Sequence, residues 1–513
     1  MHTTTTAARS SLENVQRQVL GQGVDWRHII AIGGICVTGF VLRFLFLTHE
    51  SLDGDEFASL YFAHFPFSRL WTEALDTHPP LYYSIQRTML AFGGSEALLR
   101  APSAILGTLA VLATYLLARR AVSRHAALLA AALMATSAGQ IADSQWARPY
   151  ALLTAAALGT ALAVVGIFSN YSRAALSTSG ERVLYVLSIT IALYSHNIAC
   201  LLFVVTAIFG LAQTVAVRSL KCFVEWIALN SMVLLFWWWW LIVVVQQAWA
   251  GLTNLSWAPP LTLNFVQDNL ASAYGPQFIW HFRSIIHIST LVVVGIVIVS
   301  AGIIINHVKS GRIPLAYLLT LVVCIPAAEI AISLMWRPVF MQRTIVWIIP
   351  FYYILAALVI TFFRSRWILG VVLSSIGAIF ILDLYAHYRK PYNADYRALI
   401  DDVYTASRDG DVIVTVNPFE YTGVNYYLSK HSARALTVID RPTEVDRLVA
   451  HLPAAPVAHL PPATDRVWLI FAKGEELTAE SVTGAELASY RLVLRYDEKN
   501  VAAELYQTTR GRL

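Results

Sequence analysis

The sequence predicts a polytopic α-helical membrane protein with a soluble α/β domain at its carboxy-terminal end. Three observations carry that prediction. Of the 513 residues, 57% are hydrophobic and only 13% charged, with a mean hydropathy of +0.58. Soluble domains carry about 25% charged residues. Their cores stop growing near ~250–300 residues, so a chain of this length in water could not hide so much apolar surface. Apolar runs recur through the first 390 positions, and beyond them charge mixes with short β-like runs. An ordinary cytosolic enzyme is thereby excluded. The net charge of +5 is spread over short connections between apolar runs, so no nucleic-acid partner is expected.

A helix needs ~20 largely apolar residues to cross the hydrocarbon. Such runs predict spans at 28–48, 98–118, 125–141, 147–168, 183–196, 198–217, 223–245, 286–306, 313–335, 343–363 and 367–387, about eleven in all. The segment from Pro79 to Phe92 is too short to span and suits an interfacial or re-entrant helix. The polar tail 1–26 precedes a run too long for a cleavable signal peptide. With that tail cytoplasmic, eleven spans put five basic clusters on the inner side: Arg119/Arg120/Arg124, Arg173/Arg182, Arg218/Lys221, Lys309/Arg312 and Arg364/Arg366. This satisfies the positive-inside rule. The reading is of a multi-pass protein of the cytoplasmic (inner) membrane. Cys36, Cys200, Cys222 and Cys324 lie within or beside apolar runs without CxxC spacing, and are expected as packed thiols.

The outer face then receives residues 49–97, the turn around Trp146 and Arg148, the Ser195-His196-Asn197 turn, the aromatic loop 246–285, the Trp336–Gln342 turn and everything after about 388. The organisation is a tail (1–26), a membrane domain (27–390) with its outer loop 49–97, and an outer-face α/β domain (391–513). In that last part β-like runs at Asp411–Val416, Ala435–Asp440, Arg466–Ala472, Tyr490–Tyr496 and Ala502–Tyr506 alternate with helical patterns at Tyr396–Ser407, Tyr421–Leu428 and Thr443–Leu452.

The chemistry-bearing residues concentrate on this outer face. Asp53, Asp55 and Glu56 sit just beyond the first span. Acidic residues favour helix starts as caps. A carboxylate at a partly desolvated surface is also a better proton acceptor. Spacing alone does not decide which role each one takes. His78 precedes Pro79-Pro80 at the start of a helix, where anions are favoured, and Tyr82-Tyr83 follow. Arg148, Arg337 and Arg343 stand at the outer mouths of spans, where an unpaired guanidinium is costly and a phosphate is a natural partner. Trp249, Trp257, Tyr274 and Trp280 offer aromatic cover. A carboxylate base, cations for a phosphate and aromatic cover are what a transferase using a lipid-phosphate sugar donor needs. A transporter or flippase of a lipid-linked glycan is the alternative. It would favour charges near mid-membrane rather than at the outer ends.

On these residues the sequence resembles the C-type glycosyltransferase superfamily. The likeness is to the family 39-like branch of protein O-mannosyltransferases, the lipid A aminoarabinose transferase and rhizobial lipopolysaccharide galacturonosyltransferases. It rests on Asp55-Glu56, then His78-Pro79-Pro80-Leu81-Tyr82-Tyr83, then Phe92-Gly93, Ser95-Glu96 and Arg100. Ala147-Arg148-Pro149-Tyr150 follow, and Pro338-Val339-Phe340 with Arg343 complete it, all within the membrane part. The resemblance implies transfer, with inversion and without a metal or other cofactor, of a sugar from a polyprenyl-phosphate donor. The acceptor would be lipopolysaccharide or lipid A, another envelope glycan, or a protein. By that likeness Asp55 is the base and Glu56 a partner positioning it or the acceptor. Asp53, His78, Tyr82, Arg148, Tyr150, His196, Arg337 and Arg343 would contact substrate, with the two arginines Arg148 and Arg343 on the phosphate. In the aminoarabinose-transferase branch a Lys often precedes the Pro-Pro pair; here it is His78.

Overall fold

The computed structural model describes residues 26–250, 260–275, 283–306, 312–336, 338–363, 365–389, 393–415, 418–431, 434–440, 460–461, 464–472 and 489–509. After α1 (Trp26–Phe44) the chain leaves the bundle for three short helices, α2 (Gly54–Ala63), α3 (Phe67–Thr72) and α4 (Leu81–Ala91). The bundle continues with α5 (Glu96–Ala121), α6 (Arg124–Thr136), α7 (Ala138–Ser144), α8 (Tyr150–Tyr171), α9 (Ser179–Ser195), α10 (Ala199–Val217) and α11 (Leu220–Ala250). A short α12 (Leu263–Tyr274), capped by Thr262, occupies part of what reads in sequence as a plain aromatic loop. Then come α13 (Arg283–Asn306), α14 (Arg312–Met335), α15 (Gln342–Ile345), which runs through a 3-10 turn into α16 (Ile349–Thr361), and α17 (Arg366–Arg389).

Each expected span coincides with helix. Among the described residues, nine helices are long and apolar enough to cross a membrane, and α6 with α7 makes ten if this pair, bent by 58°, counts as one span. The remaining one, α9, has 17 residues. At 1.5 Å per residue it rises about 26 Å, short of the ~30 Å hydrocarbon core. It still buries Tyr185, Ile189 and Leu193 in the bundle core. Outward-facing Val371, Ile381, Leu235 and Ile298 stay exposed, as lipid contact requires. In the Trp237–Trp240 run the faces separate at helical spacing: Trp237 and Trp240 are buried and Trp238 is exposed. Cys222 is buried, Cys36 and Cys200 are half-buried and Cys324 is exposed, so the expectation of packed thiols fails at Cys324.

The bend between α6 and α7 frees carbonyls at the end of α6, where a helix has unsatisfied acceptors and negative dipole. Arg43 of α1 fills that need. Its guanidinium donates to Met134 O (3.0 Å), Ala135 O (3.2 Å), Gly39 O (3.1 Å) and Ser144 Oγ (3.2 Å). A buried cation thus holds this sharp break in the bundle.

The last part contains α18 (Tyr396–Ala406), β1 (Val412–Thr415), α19 (Pro418–Leu428), β2 (Thr437–Asp440), β3 (Arg466–Ala472), β4 (Tyr490–Glu498) and β5 (Val501–Thr508). All five β-like runs are strands. The helix expected at Thr443–Leu452 lies outside the described residues. The sheet order is β2-β1-β3-β5-β4, with β2, β1 and β3 parallel and β5 antiparallel to both neighbours. β3 is buried through Phe471 because it lies at the centre, and Asp411 anchors it through Arg466 and Trp468 Nε1 (3.1 Å).

This extramembrane domain shares a core with the segment between α1 and α5. Phe57 and Leu60 of α2 pack with Tyr396, Leu399, Val424 and Ile470. Glu96, at the start of α5, pairs with Arg397 and Lys430. α19 approaches α2 so closely that a Cβ on Gly423 would lie 2.3 Å from carbons of the Phe57 ring. Gly423→Ala is therefore expected to cost about 1–3 kcal/mol by overpacking. A thermal melt of detergent-solubilised protein checks this, with Gly180→Ala, a helical position where a Cβ meets open space, expected not to lower Tm.

Candidate active site

The three carboxylates near the start of α2 take three different roles. Asp53 is the N-cap: its Oδ1 accepts from Glu56 N (2.8 Å), and Glu56 Oε2 accepts from Asp53 N (3.2 Å), closing a capping box. Asp53 Oδ2 also accepts from Trp146 Nε1 (3.0 Å). Glu56 is sealed from solvent in a bidentate pair with Arg100, Nε to Oε1 at 2.8 Å and Nη2 to Oε2 at 2.6 Å, and Oε1 accepts from Ala147 N (2.8 Å). Arg100 donates further to Leu47 O, Glu50 O and Ser51 O, so it ties down the chain that leads into α2. Asp55 serves neither the cap nor the Arg100 pair; its side chain is 40% exposed and meets Arg343 Nη1 at 3.1 Å.

Beneath Asp55 lies Arg148. The bond from Ala147 N to Glu56 fixes the residue before it, and its Nη1 donates to Asp55 O (3.1 Å) and Ser59 Oγ (3.2 Å). Its Nε is buried without a hydrogen-bond partner. Such an orphaned charged donor calls for an occupant. Burial alone would lower the Arg148 pKa, but Asp55, Tyr83, Tyr150 and Asp76 more than offset this and raise it.

A wall of rings joins this group to a fourth acidic residue, Asp76. Trp146 stacks on Tyr150 (5.5 Å between centroids), Tyr150 lies 5.8 Å from His196, and His196 meets His78 edge-on at 5.1 Å. His78 Nδ1 is 3.1 Å from Asp76 Oδ2, which also accepts from the Tyr83 hydroxyl. Burial favours the neutral form of Asp76, but bonds from His78 and Tyr83 and the Arg148 charge hold its carboxyl well below the usual range. His196 is pushed well below the usual imidazole value by burial, then by His78, Arg148 and Arg343. It is neutral at pH 7, and Ile198 N donates to its Nδ1 (3.1 Å), which leaves the proton on Nε2 as a donor. Asn197 Nδ2 on Thr77 O (2.7 Å) and Gln247 Nε2 on Asp76 O (3.0 Å) pin the segment that carries Asp76 and His78.

The sequence-derived set is thus placed unevenly. Asp53, Asp55, Glu56, His78, Arg148, Tyr150, His196 and Arg343 form one contiguous group. Tyr82 is buried behind it, its hydroxyl 2.8 Å from Ser103 Oγ, which in turn donates to Arg148 O. Arg337, Trp257 and Trp280 lie outside the described residues. Tyr274 is buried edge-on against Tyr352, and Trp249 is exposed. Asp76, Tyr83, Asn197, Gln247 and Ser59 were given no role at the site from the sequence. Asp76 stands two residues before His78, and that proximity was the available signal. Among the described residues no cluster of three His, Cys, Asp or Glu side chains is arranged to hold a metal ion.

Asp53 makes the site sensitive to pH. Burial first, then the charges of Glu56 and Asp55, push its carboxyl up to about 8. An unfolded Asp titrates near ~3.9. A raised folded pKa means that the native state binds more protons in this interval, so the stability contribution is full below about pH 4 and is lost as pH rises through about 8. Asp53→Asn keeps a good cap. The variant is expected to show a flatter Tm-against-pH curve between pH 5 and 8.5 than wild type; parallel curves would contradict the assignment.

The fold, a helical bundle with an extramembrane carboxy-terminal domain, is similar to those of solved membrane-protein structures. The chain matches ArnT from Cupriavidus metallidurans bound to undecaprenyl phosphate with a TM-score of 0.57 and 11% identity, over 94% of this chain and 98% of that one. The same enzyme in the apo state gives 0.55 and 12%, over 93% and 97%. The apo oligosaccharyltransferase of Archaeoglobus fulgidus gives 0.50 and 14%, over 93% and 75%. At these identities the likeness is one of fold. No protein-family model and no curated protein matches the sequence.

Proposed function

We propose that the chain is an integral-membrane glycosyltransferase that moves a sugar from a polyprenyl-phosphate donor to an acceptor hydroxyl or amine of an envelope glycan, glycolipid or protein. The observation that carries this reading is the pairing of one accessible carboxylate, Asp55, with two guanidiniums, Arg343 at 3.1 Å and the buried Arg148 with its orphaned Nε. The fold supports it, since an ArnT structure of similar fold was solved with undecaprenyl phosphate.

In this mechanism Asp55 takes the proton as the acceptor atom attacks the anomeric carbon. The new glycosidic bond forms while the bond from that carbon to the phosphate oxygen breaks, and the electron pair leaves with the lipid phosphate. Arg148 and Arg343 stabilise the charge developing there. Arg343 now holds Asp55; an arriving phosphate competes for that guanidinium and releases Asp55 as base. Asp53 and Glu56 set the start of α2, and His196 Nε2–H and His78 contact the sugar. On this reading the site faces the periplasmic side of the inner membrane, with the basic connections in the cytoplasm. The flippase alternative gains no support here, because the charges of this site, in the Asp55–Arg343 and Glu56–Arg100 pairs, lie at one end of the bundle rather than midway along it.

Mass spectrometry of envelope glycolipids and glycoproteins from deletion cells tests the proposal. A sugar mass absent from deletion cells and restored by the wild-type gene is expected, and it identifies both sugar and acceptor. Unchanged products with lipid-linked precursor accumulating on the inner leaflet would establish the flippase instead.

A further inference from the structure

Glu329 of α14 is sealed inside the bundle, and no part of the transfer step uses it. Its Oε2 accepts from the Thr344 hydroxyl at 2.6 Å, while its Oε1 is buried without a hydrogen-bond partner. Among the described residues no cation pairs with it. A buried carboxyl in that condition costs stability, and an apolar side chain of similar volume would cost less. Departures of this kind from the most stable choice concentrate where function sets the geometry.

The residue that Glu329 bonds stands directly after Arg343, in the turn 338–344 that leads from α14 into α15. Ser333, one helical turn beyond Glu329 on the same face of α14, accepts from Val339 N (3.0 Å) and Phe340 N (2.9 Å). From α12, Asn269 Oδ1 accepts from Gln342 N (2.5 Å) and Ser272 O from Gln342 Nε2 (3.4 Å). Thr344 Oγ1 accepts from Met341 N (3.1 Å) and lies 2.8 Å from Met341 O. Glu329 is thus the contact that ties this closing residue of the turn to the neighbouring helix. Arg343 reaches outward from the same turn, its Nε 3.1 Å from Met341 Sδ and its Nη1 3.1 Å from Asp55 Oδ2.

A flexible cation at a site mouth binds best when the residues behind it fix where its backbone sits. We propose that Glu329 is a positioning residue: acting through Thr344, it holds the turn so that Arg343 meets the donor phosphate. Glu329 itself does not touch substrate. The assignment rests on the transferase reading, in which Arg343 is a phosphate ligand.

The test uses the full-length chain in detergent, titrated with undecaprenyl phosphate, with thermal melts of the same samples. Glu329→Met removes the bond to Thr344 and the unpaired oxygen together. It is expected to keep or raise Tm, yet to weaken binding by about tenfold, the scale of one charge-assisted hydrogen bond. Glu329→Gln, which can still bond Thr344, retains most of the affinity. Arg343→Ala weakens binding, and adding Glu329→Met to it brings no further loss, because the carboxyl acts through that guanidinium. With a turnover assay in hand, Glu329→Met raises the donor KM and leaves the acceptor KM unchanged. A fall in Tm with affinity intact would make Glu329 structural and overturn the proposal. A loss of affinity that adds in full to that of Arg343→Ala would overturn it too, and in both cases the donor reading stands. Wild-type protein that does not bind undecaprenyl phosphate would instead overturn the donor reading, and the positioning role with it.

Discussion

Asp55→Asn is expected to fold normally and to lose about 10²–10⁴ in turnover, the range that a positioned general base supplies. The substitution changes neither the cap nor the buried pair, because Asp53 and Glu56 hold those positions. Asp55 touches Arg343 through a half-exposed carboxylate, so its loss costs little stability: exposed ion pairs contribute about 0–1 kcal/mol. The comparison that gives the result meaning is Asp53→Asn. If Asp55 is the base, turnover collapses only in Asp55→Asn, and a pH-rate profile measured on Asp53→Asn keeps its acidic limb. Full turnover in Asp55→Asn would remove that residue from the reaction.

Arg100→Met is expected to be the most destabilising single change in this region, at about 3–5 kcal/mol. Glu56 would remain sealed from solvent with its charge uncompensated, although Ala147 N and Asp53 N still donate to it. The same change removes three bonds to the backbone carbonyls of Leu47, Glu50 and Ser51. The combined variant with Glu56→Gln is expected to recover a substantial part of the loss, because Gln at this position still completes a capping box and carries no charge. Thermal melts of wild type, both single variants and the double variant measure the coupling. Additive losses would mean that Arg100 acts through its backbone contacts alone.

The membrane architecture was legible because its signal is local. Twenty apolar residues in a row declare a span wherever they pack, and strand runs bounded by turn residues declared all five strands. The clearest shortfall was at α9, where 17 residues read as a span although their length falls short of the bilayer. Its burial against the bundle, a tertiary property, holds it in place. α12 was missed because Thr262 caps a helix whose moderate apolarity reads in sequence as an aromatic loop.

The site was legible in its residue types and less so in its roles. Asp53, Asp55 and Glu56 carry the same functional group within four positions, and no local rule ranks them. Arg100, 44 residues away, settles Glu56, while Trp146 and Arg343, 93 and 288 residues away, settle the other two. Asp76 went unassigned because a lone Asp in a loop carries no signal until Tyr83, His78 and Gln247 converge on it. By itself the sequence determined that this chain crosses a membrane many times, that its polar chemistry gathers at one end, and that a mixed α/β unit follows. Those properties depend on composition and short-range periodicity. Only the tertiary structure decided which carboxylate is left uncommitted to cap or buried pair, which guanidinium is left with an unpaired donor, and that α19 packs against α2. Each is set by contacts between residues far apart in the chain, where burial and hydrogen bonding decide the state of a group that its neighbours in sequence do not.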